Sequence, residues 1–339
     1  MGLAPKPEGC SFMPINRRAA MMGLGVIATA PSALAQPSIV PAWPARPLRL
    51  VVTFAPGGST DIIARLVATG LQERLGQPVI VENRAGAGGT IATTHVARSE
   101  PDGYTMVLAS STVMAIGPAL YRSIQYDPIR DFSHVVLLST NHLVFVTNNR
   151  VPAQNLDDLV RLARTTNGGL NMASSGSGSL NHMLIVLFGN VSGVTLNHIA
   201  YRGAGPAMAA VQGGEVHGMS DSLPSAAAHI RQGSVRPIAI AGETRSRSFP
   251  DIPTFREQGF DLVSYGWFGL SMPSATPTPI LDRLHREVSE VLKTPHVVER
   301  MAEFDAIPGN LSREAFSAMV RADFERWGPL VRASGAVAE

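Results

Sequence analysis

The sequence predicts an α/β protein with two domains, each containing a sheet flanked by helices. Short β-branched runs alternate with segments of helical periodicity along most of the 339 residues, a length typical of two domains. Hydrophobic residues make up 45% of the chain and charged residues only 16%, which suits strands that are buried on both faces. Two longer extended segments predict that the chain crosses between the domains twice, so that one domain is discontinuous.

The first domain opens with a predicted strand at 49–55, followed by the turn Pro-Gly-Gly-Ser-Thr at 56–60. Apolar residues at helical spacing predict a helix over 62–75, and Gly76 stands where glycine commonly ends a helix in a left-handed conformation. The remaining elements predicted for this domain are a strand at 79–82, a glycine-rich turn at 86–89 that opens a helix reaching residue 98, and a strand at 104–109.

The two extended segments at 134–148 and 262–272 predict the crossings between the domains. We expect residues 46–140 and 270–339 to form one lobe and residues 141–269 the other, with a ligand cleft between them. The elements predicted after the first crossing are strands at 170–174, 196–201, 216–219 and 237–241, helices at 156–164, 180–188, 206–211 (capped by Gly213) and 223–231, and C-terminal helices at 279–293, 295–303 and 312–333.

The N-terminus has the pattern of a secretory signal at residues 1–35. Arg17 and Arg18 precede an apolar stretch that is too short to span a bilayer, and Ala33-Leu-Ala35 supplies a small-residue cleavage site. Because the paired arginines match a twin-arginine signal only weakly, the sequence favours the general secretory (Sec) route. Cleavage would also remove Cys10, the only cysteine, so we expect a periplasmic protein without disulfides.

Two polar turns, at 56–61 and 174–179, are candidate ligand sites. Each follows a predicted strand and precedes a predicted helix, where free N–H groups and the positive end of the helix dipole suit an anion. The two turns belong to different domains, so they would contact a ligand from opposite sides. Ordinary helix caps and solvated turns remain the alternative interpretation.

The patterns that would indicate an enzyme are incomplete. Gly176 and Gly178 flank Ser177 directly, whereas a nucleophile elbow needs its glycines two residues away on either side. The turn at 86–89 lacks the third glycine of a dinucleotide fingerprint, because Ile91 occupies that place. An exported hydrolase stays open as an alternative, since the sequence does not show which histidines lie near a serine.

Metal and nucleic-acid functions are not indicated by the sequence. None of the nine histidines pairs as His-x-x-x-His, so we expect no metal site and no cofactor. The formal net charge of +2 gives no basic excess for nucleic acid.

Five motifs follow one another in a fixed order: Thr-Phe-Ala-Pro-Gly-Gly-Ser-Thr-Asp at 53–61, Val-Glu-Asn-Arg-Ala-Gly-Ala-Gly-Gly at 81–89, Pro-Asp-Gly-Tyr at 101–104, Ser-Ser-Gly-Ser-Gly-Ser at 174–179 and Tyr-Gly-Trp-Phe-Gly at 265–269. This series resembles the Bug-type receptors, the periplasmic solute-binding proteins of tripartite tricarboxylate transporters. The resemblance implies a two-lobed periplasmic-binding-protein fold, type II-like, with ligand in the cleft between lobes. It also implies a non-enzymatic receptor, expected to be monomeric, that binds a small carboxylate and delivers it to membrane permease subunits. A ligand-presenting sensor is a further alternative.

Two candidate residues keep alternative roles. Asp221 is placed either to bind a ligand amine or to cap the helix that starts near Leu223. His182 is placed either to bind the ligand or to support the turn at 174–179, which we call the serine loop. The candidate ligand-binding residues are Phe54, Ala55, Gly57, Gly58, Ser59, Thr60, Asp61, Ser110, Ser175, Gly176, Ser177, Ser179, His182, Tyr201 and Asp221.

Overall fold

The structure, a computed structural model, describes residues 43–334 and 336. The predicted signal at 1–35 lies outside the described residues. Within those that are described, every helix is too short or too polar to cross a bilayer.

Strands and helices alternate along the chain as the sequence predicts. The strands are β1 (Leu48–Val52), β2 (Val79–Asn83), β3 (Thr105–Ser110), β4 (Phe132–Thr147), β5 (Leu170–Ser174), β6 (Leu196–Ala200), β7 (Gly218–Ser222), β8 (Arg236–Ile240), β9 (Tyr265–Pro273) and β10 (Ala306–Pro308). The α-helices are α1 (Ser59–Leu75), α2 (Thr90–Ala97), α3 (Gly117–Leu120), α4 (Leu156–Thr165), α5 (Leu180–Ser192), α6 (Ala204–Gly213), α7 (Leu223–Arg231), α8 (Thr278–Val291), α9 (Pro295–Glu303) and α10 (Arg313–Ala333).

Strand β4 joins the two predicted sheets. Its first part, from Phe132 to His142, pairs with β9, and its last part, from Leu143 to Thr147, pairs with β7 and β8. At a rise of about 3.3 Å per residue, a strand of this length spans about 50 Å and serves both lobes. The ladder therefore runs without a break through the order β2-β1-β3-β9-β4-β7-β5-β6. The two-lobed α/β fold and its two crossing segments are confirmed.

In the first lobe, β1 lies between β2 and β3 in parallel, while β9 is antiparallel to β3. Helices α1 and α8 cover this sheet with Ile63, Val67, Leu71 and Leu284, all fully or almost fully buried. Helix α1 ends as predicted, because Gly76 has φ 66° and its N–H bonds to the carbonyl of Gln72.

In the second lobe, β5 is parallel to β6 and β7, and the long strand β4 completes the sheet. Phe145, Phe188 and Phe255 meet edge to face in its core. The prediction that Gly213 caps the helix before β7 is wrong by one residue. Gly213 is the last helical residue, and Gly214, at φ 81°, supplies the left-handed cap.

Two features of the chain were not predicted. A π-helical turn, Thr112–Ile116, connects β3 to α3, and such turns are frequent at functional sites. Helix α10 packs on both lobes, because Phe316 belongs to a first-lobe cluster with Trp267, whereas Trp327 belongs to a second-lobe cluster with Phe145. The residue boundaries of the lobes therefore stay a prediction.

Candidate functional site

Two adjacent pockets lie where the lobes meet, and Phe54 and Ser175 line both of them. The inner pocket encloses about 40 Å³ and is lined by Phe54, Gly58, Ser59, Thr60, Ser110, Thr112, Ser175, Asn181, Ala204, Asp221, Ser222 and Phe268. The outer pocket encloses about 530 Å³ and is lined by Phe54, Ala85, Gly86, Ala87, Gly88, Ile91, Tyr121, Ser175, Gly176, Ser177, Ala200, Tyr201 and Arg202.

Four helices begin at the inner pocket. Ser59 is the first residue of α1, Asn181 the second of α5, Ala204 the first of α6, and Ser222 directly precedes α7. The first N–H groups of a helix have no acceptor within the helix, and its dipole is positive at this end. The backbone therefore makes the inner pocket electropositive without a cationic side chain.

Two serine hydroxyls of the inner pocket have no hydrogen-bond partner within the described residues. These are Ser59 Oγ and Ser110 Oγ, both buried, on α1 and β3 respectively. An unsatisfied buried hydroxyl is costly, so its persistence at a pocket wall points to an external partner. A ligand with oxygen acceptors fits both positions.

Asp221 is the one ionisable side chain among the described residues that line the inner pocket. Its Oδ1 accepts a hydrogen bond from Ser222 N at 2.8 Å, and its Oδ2 lies within hydrogen-bond distance of Ser225 Oγ. Complete burial raises the pKa of Asp221 to about 7, although the hydrogen bonds that Ser225 and Ser222 can donate to the ionised carboxylate oppose this shift. The bond to Ser222 N supports the N-terminus of α7, and the pocket wall exposes the same carboxyl group to a ligand.

Asp61 does not line either pocket, nor does Gly57. The carboxylate of Asp61 accepts hydrogen bonds from Gly57 N at 3.1 Å, Arg65 Nε at 3.0 Å and Asn83 Nδ2 at 3.0 Å. Burial acts to raise the pKa of Asp61, but these three donors outweigh it and hold the pKa below its usual value. Asp61 therefore fixes the turn in front of α1 and leaves ligand contact to its neighbours Ser59 and Thr60.

Ser179 and His182 also lie outside the lining of both pockets. Ser179 Oγ caps α5 by accepting from His182 N at 3.0 Å. His182 Nδ1 accepts from Gly178 N at 3.1 Å. Both side chains hold the serine loop in shape, which leaves Ser175, Gly176 and Ser177 at the pocket walls.

Turns that belong to the two expected lobes contact each other at two places beside the outer pocket. At the first, Ala55, which does not line a pocket, donates its N–H to the carbonyl of Arg202 at 3.2 Å. At the second, Tyr121 Oη donates to the carbonyl of Ser177 at 2.7 Å. Arg202, Tyr121 and Ser177 all line the outer pocket.

Several lining residues were not among the sequence candidates. Asn181 and Ser222 are next to predicted residues and carry polar side chains, so their type and position were a usable signal. Thr112 lies in the unpredicted π-helical turn, where its Oγ1 accepts from Leu180 N at 3.1 Å. Ala204 and Phe268 have no polar side-chain atom that would have marked them.

The structure offers little for the hydrolase alternative. Ser174 Oγ lies 2.6 Å from His198 Nε2, but Ser174 is fully buried and lines neither pocket. No carboxylate bonds to His198 in the part of the chain that is described. That part also contains no cluster of three His, Cys, Asp or Glu residues that could hold a metal ion.

Comparisons with known proteins agree with this architecture. The family model described as tripartite tricarboxylate transporter family receptor matches residues 63–336. Protein BugT of Bordetella pertussis is 38% identical over 326 residues, covering 96% of this chain and 99% of BugT.

Solved structures share the fold of this chain. A structure of an R. palustris protein with adipate is 31% identical, with a TM-score of 0.85 over 88% of this chain and all of that protein. MatC from Rhodopseudomonas palustris with bound malate is 32% identical, with a TM-score of 0.82 over 85% of this chain and all of MatC. The periplasmic binding protein BugD is 32% identical, with a TM-score of 0.84, over 88% of this chain and all of BugD. The resemblance to Bug-type receptors is thereby confirmed, and the chain belongs to the receptor family of the tripartite tricarboxylate transporters.

Proposed function

We propose that this receptor captures a small organic acid anion in the inner pocket and delivers it to the membrane subunits of its transporter. The observation that carries the proposal is the inner pocket itself, where four helix N-termini surround two serine hydroxyls that have no hydrogen-bond partner among the described residues. Hydrogen bonds to a charged group contribute about 1.5–3 kcal/mol each. Three or four of them, less the ordering costs, support binding in the micromolar range, about −8 kcal/mol.

The ligand we favour is a plain dicarboxylate or tricarboxylate. The inner pocket suits one carboxylate, and the outer pocket leaves room for the rest of the molecule beside Tyr121, Tyr201 and Arg202. Exposed Arg202 is placed to meet a second negative charge. Relatives solved with adipate and with malate support this class of ligand.

The proposed ligand contacts follow the pocket walls. In the inner pocket they are Gly58, Ser59, Thr60, Ser110, Thr112, Asn181 and Asp221, and toward the outer pocket they are Phe54, Ser175, Gly176, Ser177, Tyr121 and Tyr201.

We further propose that the lobes, residues 46–140 with 270–339 and residues 141–269, open and close about the segments 134–148 and 262–272. The hydrogen bond from Ala55 to Arg202 and the one from Tyr121 to Ser177 support a closed arrangement in this structure. Both bonds must break for a ligand to enter between the turns. Domain closure is the common response of a protein whose ligand contacts two lobes.

The proposed setting is the periplasm, reached through the Sec route, with the mature receptor acting as a monomer. Support comes from the secretory pattern at residues 1–35 and from the family's role beside a membrane transporter. The mass of the protein recovered from the periplasm tests cleavage after Ala35, and light scattering tests the monomer.

A ligand screen on residues 36–339 tests the proposed function. Thermal unfolding is measured with succinate, malate, adipate, citrate and aspartate, each at millimolar concentration, with spermidine as a cationic comparison. We expect at least one plain carboxylate to raise the melting temperature, since ligands stabilise the state that they bind. Calorimetry then gives its Kd. A protein that no carboxylate stabilises would overturn the proposal.

A further inference from the structure

Ser225 Oγ lies within hydrogen-bond distance of two acceptors at once. It contacts Asp221 Oδ2, and it lies 3.1 Å from the carbonyl oxygen of Ser222. A serine hydroxyl has one proton to donate and two lone pairs with which to accept. If Asp221 is ionised, Ser225 must share its single proton between the two acceptors. If Asp221 Oδ2 carries a proton, it can donate to Ser225 Oγ, which then donates its own proton to Ser222, and neither bond is shared. The remaining bond, from Ser222 N to Asp221 Oδ1, fits either protonation state.

The surroundings of Asp221 provide no charge that would keep it ionised. Strand β5 and helix α6, which pack on β7, carry no titratable side chain. Titratable groups on the other surrounding elements have partners of their own: Asp61 with Arg65 on α1, His142 of β4 with Asp305, His182 of α5 with His198, His229 of α7 with Gln212, Arg231 of α7 with Phe249, and Tyr265 of β9 with Glu243.

An anionic ligand in the inner pocket would face this buried carboxyl group directly. If Asp221 were ionised, two negative charges would share a cavity of about 40 Å³ and would repel each other. We infer that the receptor binds its anion with Asp221 as a neutral carboxylic acid, so that each ligand enters the inner pocket together with one proton. The proton comes from solvent and resides on Oδ2. The inference rests on the proposed function, since it concerns how the same pocket accepts a carboxylate.

Because binding is coupled to protonation of Asp221, the inference predicts in which direction, and over which pH range, the Kd of the ligand changes. Burial places the pKa of Asp221 in the free receptor at about 7, so above pH 7 most free receptors have lost the proton. A bound anion raises the pKa of Asp221 further, because like charges disfavour ionisation. Binding then takes up a proton, and between the free and the bound pKa the Kd rises by up to about tenfold per pH unit.

Calorimetry on residues 36–339 tests the inference, with whichever of succinate, malate and adipate binds most tightly. At pH 8.5 the binding enthalpy is measured in HEPPS, Tricine and Tris, which buffer near this pH and differ in ionisation enthalpy, so that the slope of binding enthalpy against ionisation enthalpy gives the number of protons exchanged. Carboxylic acids ionise near pH 4, and these ligands therefore contribute no proton of their own. We expect close to one proton taken up per ligand, and a Kd that rises about threefold to tenfold from pH 7.5 to 8.5.

Asp221→Asn supplies the matched variant, because an amide reproduces the neutral acid. Its Nδ2 donates to Ser225 Oγ and its Oδ1 accepts from Ser222 N. We expect this variant to exchange no proton and to bind with a Kd that does not change from pH 7.5 to 8.5. Asp323→Asn is the control, since Asp323 is also buried, accepts from Trp267 Nε1 and lies outside both pockets. It should keep the wild-type proton uptake.

The outcomes separate the inference from the proposed function. Normal carboxylate binding by the wild type without proton uptake would overturn the inference alone. The same holds if Asp221→Asn binds aspartate far more weakly than the wild type does but leaves plain dicarboxylates unaffected, because Asp221 would then be an ionised partner for an amine. If no carboxylate binds at any pH, the proposed function fails and the inference with it. Should Asp221→Asn not fold, the wild-type proton count still decides.

Discussion

His182 and His198 stack face to face, with their ring centroids 3.6 Å apart and their planes 15° from parallel. His182 accepts a hydrogen bond from Gly178 N, and His198 Nε2 contacts Ser174 Oγ. The pair therefore braces the serine loop from α5 and from β6 at the same time. His182 and His198 line neither pocket, but they contact the two ends of the segment that carries the pocket residues Ser175 and Ser177.

The histidine pair predicts a pH-dependent stability. Burial lowers the pKa of His182 to about 4 and that of His198 to about 3, where the neighbouring His182 adds to the effect. Between these values and the unfolded pKa of about 6.5, the unfolded chain binds protons that the folded chain does not. The free energy of unfolding contributed by the pair therefore falls as the pH drops from about 6.5 to about 4.

His198→Gln tests this prediction, because glutamine can still bond to Ser174 but does not titrate. Asp221 acts in the opposite sense over pH 4 to 7, so the measured quantity is the difference between variant and wild type. We expect the melting temperature of His198→Gln to fall less steeply from pH 7 to pH 4. His296→Gln, at an exposed position on α9, should follow the wild type. If the melting temperatures of His198→Gln and the wild type change equally with pH, the prediction is contradicted.

The unpartnered serines predict a large effect on affinity with little effect on stability. Replacing Ser59 or Ser110 by alanine removes a buried hydroxyl that bonds to nothing else in the described chain. We expect the free protein to unfold at the same temperature or slightly higher, and carboxylate affinity to fall about tenfold or more. Ser139→Ala is the control, since Ser139 Oγ is also buried without a described partner but lines neither pocket. If calorimetry finds that all three variants lose carboxylate affinity equally, Ser59 and Ser110 are not ligand-binding residues.

The two carboxylates at predicted helix starts show what the sequence could and could not predict. Asp61 and Asp221 looked alike, because each follows a strand and precedes a helix. Arg65, four residues after Asp61, was a local signal for a helical ion pair, and it marks Asp61 as structural. Asp221 has no such neighbour, and only the tertiary packing of α7 on β4 and β7 determines its burial and its pKa.

Long-range contact explains most of the remaining differences. The periodicity of apolar residues depends on the local geometry of strands and helices, so the fold and the two polar turns between strand and helix could be predicted from the sequence. The meeting of Thr112 with Leu180, or of Ala204 with Gly58, joins segments 68 or more residues apart. No local pattern encodes such contacts, which is why the inner pocket was only partly predicted.

The hydrogen bond made by Tyr121 predicts that contact between the two lobes contributes to ligand affinity. Its hydroxyl donates to the carbonyl of Ser177 across the two lobes at 2.7 Å. Tyr121→Phe keeps the ring and removes one hydrogen bond, worth about 0.5–1.5 kcal/mol. We expect Kd to rise about twofold to tenfold, mainly through faster ligand release, measured by stopped-flow kinetics. Tyr104→Phe, which removes a hydroxyl bonded to Ala45 N outside both pockets, should leave the release rate unchanged. If the rate of ligand release does not change in Tyr121→Phe, the hydrogen bond from Tyr121 to Ser177 does not help to keep the lobes closed on the ligand.

The last prediction concerns the contact between Gly205 of α6 and Pro56. A Cβ atom at Gly205 would lie 2.9 Å from the carbonyl oxygen of Pro56, and one at Gly58 would lie 3.4 Å from Ala204 Cβ. Gly58 has φ −86°, so its backbone tolerates any residue and the cost of substitution is steric contact alone.

Gly205→Val should therefore hold the turns apart while leaving each lobe folded. We expect its melting temperature without ligand to match the wild type or exceed it, since valine is a better helix former than glycine. Carboxylate affinity should fall at least tenfold, and small-angle scattering with saturating ligand should show no compaction. Gly58→Val should show the same loss to a smaller degree, because its contact is looser. Gly213→Val is the matched control in the same helix, since a Cβ there meets nothing within 4 Å, and it should bind normally. If Gly205→Val binds and compacts like the wild type, contact between the 55–58 and 202–205 turns is not required for closure.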